Sequence, residues 1–280
     1  MTTAGRRIAA NRAAHDRLLG GYDARHPEIW NDVEQSRLVA SVARAVGAIR
    51  SATPPNTRVM LDIGAGTGNL AAKLLDHPGK VLASDVAPRM LETLRARLGA
   101  GDRLMTMVLN GTDLRPLGDA SVDLVGAYSV LHHVPDYLAL VEEMARVVRP
   151  GGVILLEHEK APAYWDPPPA LARYLHGAVV WPEKRWSRFV DPRRYWARMR
   201  PWLVWQRWLD PRWMPEGDLH IWPDDHVEWP RVEARLRAAG CTVVHVEEHL
   251  AYEPRFDRTA WERARHECAD TRALIARKEG

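Results

Sequence analysis

The chain has 280 residues, 46% of them hydrophobic and 27% charged, with a formal net charge of +3. That is enough for one large α/β domain with an elaboration, or for two small domains, and the charge is too small to imply nucleic acid by itself. Two cysteines, Cys241 and Cys268, make neither a disulfide framework nor a zinc-ligand spacing and fit a reducing, cytoplasmic setting; no apolar run is long enough for a membrane span, and the arginines near the start lack the apolar core of a secretory signal.

The first fifty residues read as helices. From Asp32 onward, Val39, Val42, Ala43, Val46 and Ile49 recur at helical spacing, until Ser51–Asn56 breaks the pattern. Short apolar runs follow at Val59–Ile63, Lys80–Ser84, Arg103–Leu109, Val122–Tyr128 and Val153–Glu157, separated by the amphipathic segments Asn69–Leu75, Pro88–Leu98 and Tyr137–Val148. Strand and helix alternating in this way predict a parallel sheet wrapped by helices, and near-continuous apolar strands predict burial on both faces. From Ala161 to Pro230 the strand pattern vanishes and Pro and Trp become dense. Regular structure returns with a helix over Arg231–Ala239 closed by Gly240, then a β-rich run over Cys241–Val246; Arg258–Lys278 reads as a terminal helix. No internal repeat is present. The expected organisation is an N-terminal helical lid (1–57), a sheet core (58–159), a Trp/Arg-rich cap insert (160–230), and the end of the core with a C-terminal helix (231–280).

The first strand runs into Gly64-x-Gly66-x-Gly68 and then a helix, an arrangement suited to a nucleotide. Glycines let the backbone turn tightly and approach a ligand, and the helix offers free N–H groups. An NAD-type loop would place its third glycine one residue later. Asp62 lies within the strand, and the second strand ends in Asp85, where a carboxylate can accept from both hydroxyls of a ribose; capping the helix that starts at Pro88 is a compatible role.

Residues 59–157 resemble a class I S-adenosylmethionine (SAM)-dependent methyltransferase, of the broad subgroup that includes ubiquinone and menaquinone biosynthesis enzymes. The resemblance rests on four motifs in order: Leu61-Asp62-Ile63-Gly64-Ala65-Gly66-Thr67-Gly68-Asn69-Leu70, Ser84-Asp85-Val86-Ala87-Pro88-Arg89-Met90-Leu91, Ser121–Val125 with Val130-Leu131-His132-His133-Val134, and Ala145–Gly152. It covers roughly a third of the chain. It implies a Rossmann-like parallel sheet of about seven strands, the last antiparallel, and SAM as cofactor. It also implies that Gly64, Ala65, Gly66 and Gly68 face the methionine moiety beside Asp62. Asp85 would hold the ribose, with Val86 and Met90 flanking the adenine. In the segment Asn110-Gly111-Thr112-Asp113-Leu114, either Asn110 or Asp113 would take the adenine amino group. Tyr128, Ser129 and His133 at the fourth strand's exit would line the cofactor pocket, and Tyr22 resembles the family's lid tyrosine.

Methyl transfer from a sulfonium has a neutral leaving group and an activated donor, so alignment and exclusion of water are the main demands. A base is needed only where the acceptor must lose a proton. His133 and His158 are the candidates, with Glu157 as an orienting carboxylate; lining the pocket is the alternative role for the histidines. Between Lys160 and Pro215 stand eight tryptophans and eleven Lys/Arg against four Asp/Glu. Trp165, Trp181, Trp186 and His220 are candidate walls for a flat or greasy acceptor, though Trp residues can equally pack a small helical cap. Five acids over Glu216–Glu228 argue against a nucleic-acid surface. His220–His226 has potential ligands but no metal-site spacing, and a turn explains it more simply, so no metal is expected. The function implied is SAM-dependent methyl transfer to a small molecule through O, N or C, of specialised or lipid/quinone type, by a cytoplasmic enzyme without a membrane span. Its oligomeric state is open, a homodimer among the options. RNA methylation, or SAM binding without transfer, are the alternatives.

Overall fold

The computed structural model describes residues 26–99, 101–177, 227–254 and 256–280, together with Ile8 and Arg12. Tyr22, Trp181, Trp186, His220 and most of the predicted cap therefore lie outside the described residues. Helix α1 (Asp32–Gly47) starts where Asn31 Oδ1 accepts from the amides of Val33 and Glu34, satisfying two donors that the first turn leaves over. Its buried face is Glu34, Leu38, Ser41, Val42 and Ala45, whereas Val39 is 48% exposed and Ala43 also faces solvent. The predicted stripe was thus rotated: two buried positions are polar, and hydrophobic periodicity alone cannot register them.

Strands β1 (Val59–Ile63), β2 (Lys80–Asp85), β3 (Leu104–Val108), β4 (Val122–Tyr128), β5 (Val148–Lys160), β6 (Cys241–His249) and β7 (Thr271–Lys278) form one sheet in the order β3-β2-β1-β4-β5-β7-β6. β1 to β5 are mutually parallel, and β7 runs antiparallel to both β5 and β6. The direction of winding reverses between β1 and β4. Loops leaving these two strands diverge and open a crevice at the sheet's carboxyl edge.

Alternate strand residues feed two cores. Met60, Val81, Leu124, Val153 and Ile275 pack under α1, α2 (Asn69–Leu75) and α3 (Pro88–Leu98). Leu61, Leu82, Val125, Ile154 and Leu274 pack under α4 (Tyr137–Val147) and the later helix Trp229–Ala238. By this pleat Asp62 and Tyr128 share the face of Met60 and Leu124, towards α1 and α2.

The predicted terminal helix is corrected. Only Arg258–Ala264 is helical, and Thr271–Lys278 is strand β7, inserted between β5 and β6 with Ala273–Ala276 buried. An apolar run covered on both faces carries no alternation, so its period did not separate strand from helix. A third apolar cluster joins Leu171 and Tyr174, from the helix Pro169–Gly177, to Leu250, Phe256 and Trp261. The start of the cap thus packs on the β6–β7 connection, at the carboxyl edge. Among the described residues no helix is long and apolar enough to cross a membrane.

Candidate functional site

The loop after β1 turns through three left-handed glycines, with φ of +65° at Gly64, +51° at Gly66 and +95° at Gly68. A Cβ on Gly64 would come within 2.6 Å of Val130, and one on Gly68 within 3.0 Å of Leu94 and Leu98, so both are needed for packing. Gly66 differs: the nearest atom to a Cβ there would be the Gly64 carbonyl oxygen at 4.0 Å. The space over Gly66 is open. Gly68 stands at the N-terminus of α2 with no side-chain cap.

Asp85 holds this loop. Its Oδ2 accepts from the Gly66 amide at 2.9 Å and its Oδ1 from the Ala87 amide at 2.8 Å. The Ala65 amide donates to the Ser84 carbonyl at 2.8 Å. Asp62 is fully buried, and neither carboxylate oxygen has a partner of hydrogen-bond geometry. Burial and the charge of Asp85 raise its pKa well above the usual range, although the Ala71 amide tempers the shift. Asn69 Nδ2 is likewise buried without an acceptor, while its Oδ1 accepts from Gln35 of α1 at 2.9 Å.

The third-strand segment is a self-contained turn. Asn110 Oδ1 accepts from the amides of Thr112 and Asp113 at 2.8 and 3.0 Å, and from the Thr112 hydroxyl at 2.9 Å. Leu114 is buried, its amide bound to Glu143. Val86 is half-buried near Gly111, and Met90 is only 1% exposed, beneath the surface of the crevice.

At the exit of β4, Ser129 has φ of +58°, as does His158 within β5. Two non-glycine residues in the left-handed region, side by side at the carboxyl edge, mark strain where a site is expected. The rings of Tyr128 and His158 stack at 4.9 Å and 11°. Glu159, which sequence reasoning missed, anchors the exit: its Oε1 accepts from the Val130 and Leu131 amides and its Oε2 faces His132 Nδ1 at 2.8 Å. His133 lies beside His132, ring centroids 4.0 Å apart. Trp165 is half-buried and meets Tyr164 edge-on.

Glu157 does not orient a histidine, contrary to expectation. It is fully buried and grips Arg37 of α1 through two hydrogen bonds of 3.2 and 2.9 Å. Arg37 also donates to Glu34 at 3.1 Å. Glu34, nearly completely buried, accepts from the Tyr252 amide at 2.9 Å and lies 3.6 Å from His249 Nε2. Burial opposes the Glu34 charge, yet His249 and Arg37 together hold its pKa down to about 2. Burial pushes His158 down to about 3, although the residue as a whole is only half covered. Glu34, Arg37 and His249 were not singled out from sequence; Glu34 and Arg37 stand one turn apart on α1, but their partners Glu157 and His249 are distant in the chain and no local motif joins them.

Residues 61–156 match the family described as Methyltransferase domain. Over these residues the chain carries a methyltransferase domain. An uncharacterized methyltransferase of Mycobacterium bovis is 43% identical over 100 residues, which is 35% of this chain and 39% of that protein. A demethylmenaquinone methyltransferase of Clavibacter sepedonicus is 31% identical over 149 residues, covering 52% of this chain and 60% of that one. The chain thus spans less than two thirds of the length of these curated relatives. A solved SAM-dependent methyltransferase of Mesorhizobium loti shares the fold, with a TM-score of 0.52 at 22% identity over 85% of this chain and 98% of that one. The methyltransferase domain's own residues fit SAM. The cradle is open at Gly66, and the orphaned buried atoms of Asp62 and Asn69 are an acceptor pair and a donor. An ammonium and a carboxylate, as on the methionine end of SAM, satisfy that combination.

Proposed function

We propose that this protein transfers the methyl group of SAM to a small-molecule acceptor of lipid, quinone or specialised-metabolite type. The open space over Gly66, backed by the unpartnered carboxylate of Asp62 and flanked by Asp85, carries this reading. In it, the glycine loop and Asp62 hold the amino-acid end, Asp85 the ribose, and Val86 with the Asn110–Leu114 turn the adenine. Tyr128, Ser129 and His133 wall the pocket at the end of β4. When bound, the cofactor supplies a methyl group on a sulfonium that leaves as a neutral thioether. The protein's contribution is to hold the acceptor in line and dry, which suits a crevice at the sheet's carboxyl edge.

A general base works best with a pKa near the operating pH. Burial at His158 removes it from that range, so His133 is the residue assigned to take a proton from a protic acceptor. Trp165 and the segments 1–57 and 160–230 are assigned to cover the acceptor. The demethylmenaquinone methyltransferase relative favours a flat, apolar acceptor.

Calorimetry of SAM binding to Asp85→Asn tests the site. The substitution keeps the shape and removes the charge that strengthens hydrogen bonds from ribose, so affinity should fall about ten-fold or more. Equal affinity would overturn the ribose assignment. Transfer of labelled methyl from SAM into the organic-soluble part of a metabolite extract tests the acceptor class. Label appearing in RNA, or tight SAM binding without any transfer, would replace the small-molecule reading.

A further inference from the structure

On the α1 side of β5, away from the glycine loop in sequence, polar side chains converge, and several of their buried atoms have no hydrogen-bond partner. One ligand atom from each of Glu34, His158 and His249 lies within 4.8 Å of the other two. His249 is buried at both ring nitrogens and neither makes a hydrogen bond; His158 Nδ1 and the Tyr128 hydroxyl are in the same state. Orphaned buried polar atoms each cost free energy, and one is unusual enough to need a reason. Here four belong to three side chains that neighbour one another: Tyr128 stacks on His158, and His158 and His249 share Glu34. The left-handed backbone of His158 aims its ring into this group at the cost of strain.

We infer that Glu34, His158 and His249 form a site for a divalent transition-metal ion of the zinc class. Two imidazoles and one carboxylate are a donor set for such ions, not for calcium or magnesium. Ligand atoms around a tetrahedral zinc lie about 3.3 Å apart, so a spacing of no more than 4.8 Å needs a contraction of about 1.5 Å or less per pair, and the His249–Glu34 pair is already at 3.6 Å. The charges permit it. Glu34 and Glu157 against Arg37 leave one negative charge beside the site. Glu34 spends Oε1 on the Tyr252 amide and part of Oε2 on Arg37, and each oxygen has a second acceptor direction. Three protein ligands leave a fourth position for water or for an oxygen of a bound acceptor. Sequence reading expected no metal, because the three ligands stand on α1, β5 and β6 and no local spacing unites them.

The test uses the full chain, stripped with a chelator and titrated with Zn²⁺ and separately with Co²⁺. One equivalent should bind, and the cobalt form should show the visible absorption of a four-coordinate ion. His249→Ala should weaken binding by roughly ten-fold or more, as removal of a ligand must do at least what removal of its supporting partner does. His245→Ala, on the same strand, should leave binding unchanged and controls for surface chelation. Circular dichroism checks that both variants fold; if His249→Ala does not, His249→Gln is titrated in its place with the same expectation. Absence of a stoichiometric ion, or binding indifferent to residue 249, would overturn the site. SAM affinity of the stripped protein is read in parallel and should persist, which separates failure here from failure of the SAM assignment.

Discussion

Asp123 shows how much one buried carboxylate can fix. It sits fully buried near the start of β4 and accepts from the Ser51 hydroxyl at 2.8 Å, the Val59 amide at 2.9 Å and Arg149 at 2.6 Å. It thereby ties the linker after α1, the entry to β1 and the entry to β5 at one point. Burial opposes its charge, but hydrogen bonds from Thr53, Val59 and Ser51 and the charge of Arg149 outweigh burial and lower its pKa. A carboxylate with a folded pKa below its unfolded value of about 3.9 stabilises the fold above that pH. That stability is lost as pH falls through the folded value. Asp123→Asn should cost about 1.5–3 kcal/mol at neutral pH, the worth of hydrogen bonds to a charged group. Its denaturant midpoint should also vary less with pH below about 4 than the wild type's. A wild-type pH slope retained in the variant would show that other carboxylates carry the acid sensitivity. Residue-scale chemistry was unevenly legible. The glycine loop, Asp62 and Asp85 are contiguous motifs and could be read directly. Glu159 and His249 act through partners that the chain brings near only on folding.

Helix α1 meets the sheet through an apolar face of Leu38, Val42 and Ala45 and, beside it, through buried ions. Arg37 is gripped by Glu157 from β5 and Glu34 from its own helix, and Gln35 reaches Asn69 at the start of α2. This explains why the helix was legible in the sequence while its orientation was not. The apolar residues set a period, but the buried Glu34 and Ser41 decide which side faces inward. Arg37→Ala should leave Glu157 buried without compensation, and breaking such a pair costs about 3–5 kcal/mol. Urea denaturation measures it. Adding Glu157→Gln to Arg37→Ala should recover part of the loss, because the uncompensated charge is then gone. If the double variant is no more stable than the single one, lost packing of the arginine stem, rather than charge, holds α1 down.

At the scale of the whole molecule, the sheet depends on the last residues of the chain. The parallel half was foreseeable, since β1, β2 and β4 are apolar runs separated by amphipathic helices, and the family motifs fix their order. At the antiparallel end the strand count, the orientation of the last strand and the β-rich run Cys241–Val246 were foreseen, but Thr271–Lys278 was misread as helix because Ala273–Ala276 is buried without alternation. The two readings differ in what truncation would do. A terminal helix packed on one face could be removed at modest cost. β7 instead hydrogen-bonds to β5 on one side and β6 on the other, and Leu274 and Ile275 enter the cores on opposite faces. Ending the chain at Asp270 would strand β6 without a neighbour, expose one edge of β5, and open both cores at once. Losing Leu274 and Ile275 alone removes two side chains worth about 2–5 kcal/mol each when truncated to alanine, against a total stability of about 5–15 kcal/mol. The truncated chain should therefore show no cooperative unfolding transition by near-ultraviolet circular dichroism. It should also bind no SAM, even though every residue of the glycine loop, Asp62 and Asp85 is intact. A truncated chain that melts cooperatively and binds the cofactor would mean that β1 to β5 fold as a unit without the antiparallel end. The carboxyl-edge cluster around His249 would then be an attachment to that unit rather than part of it.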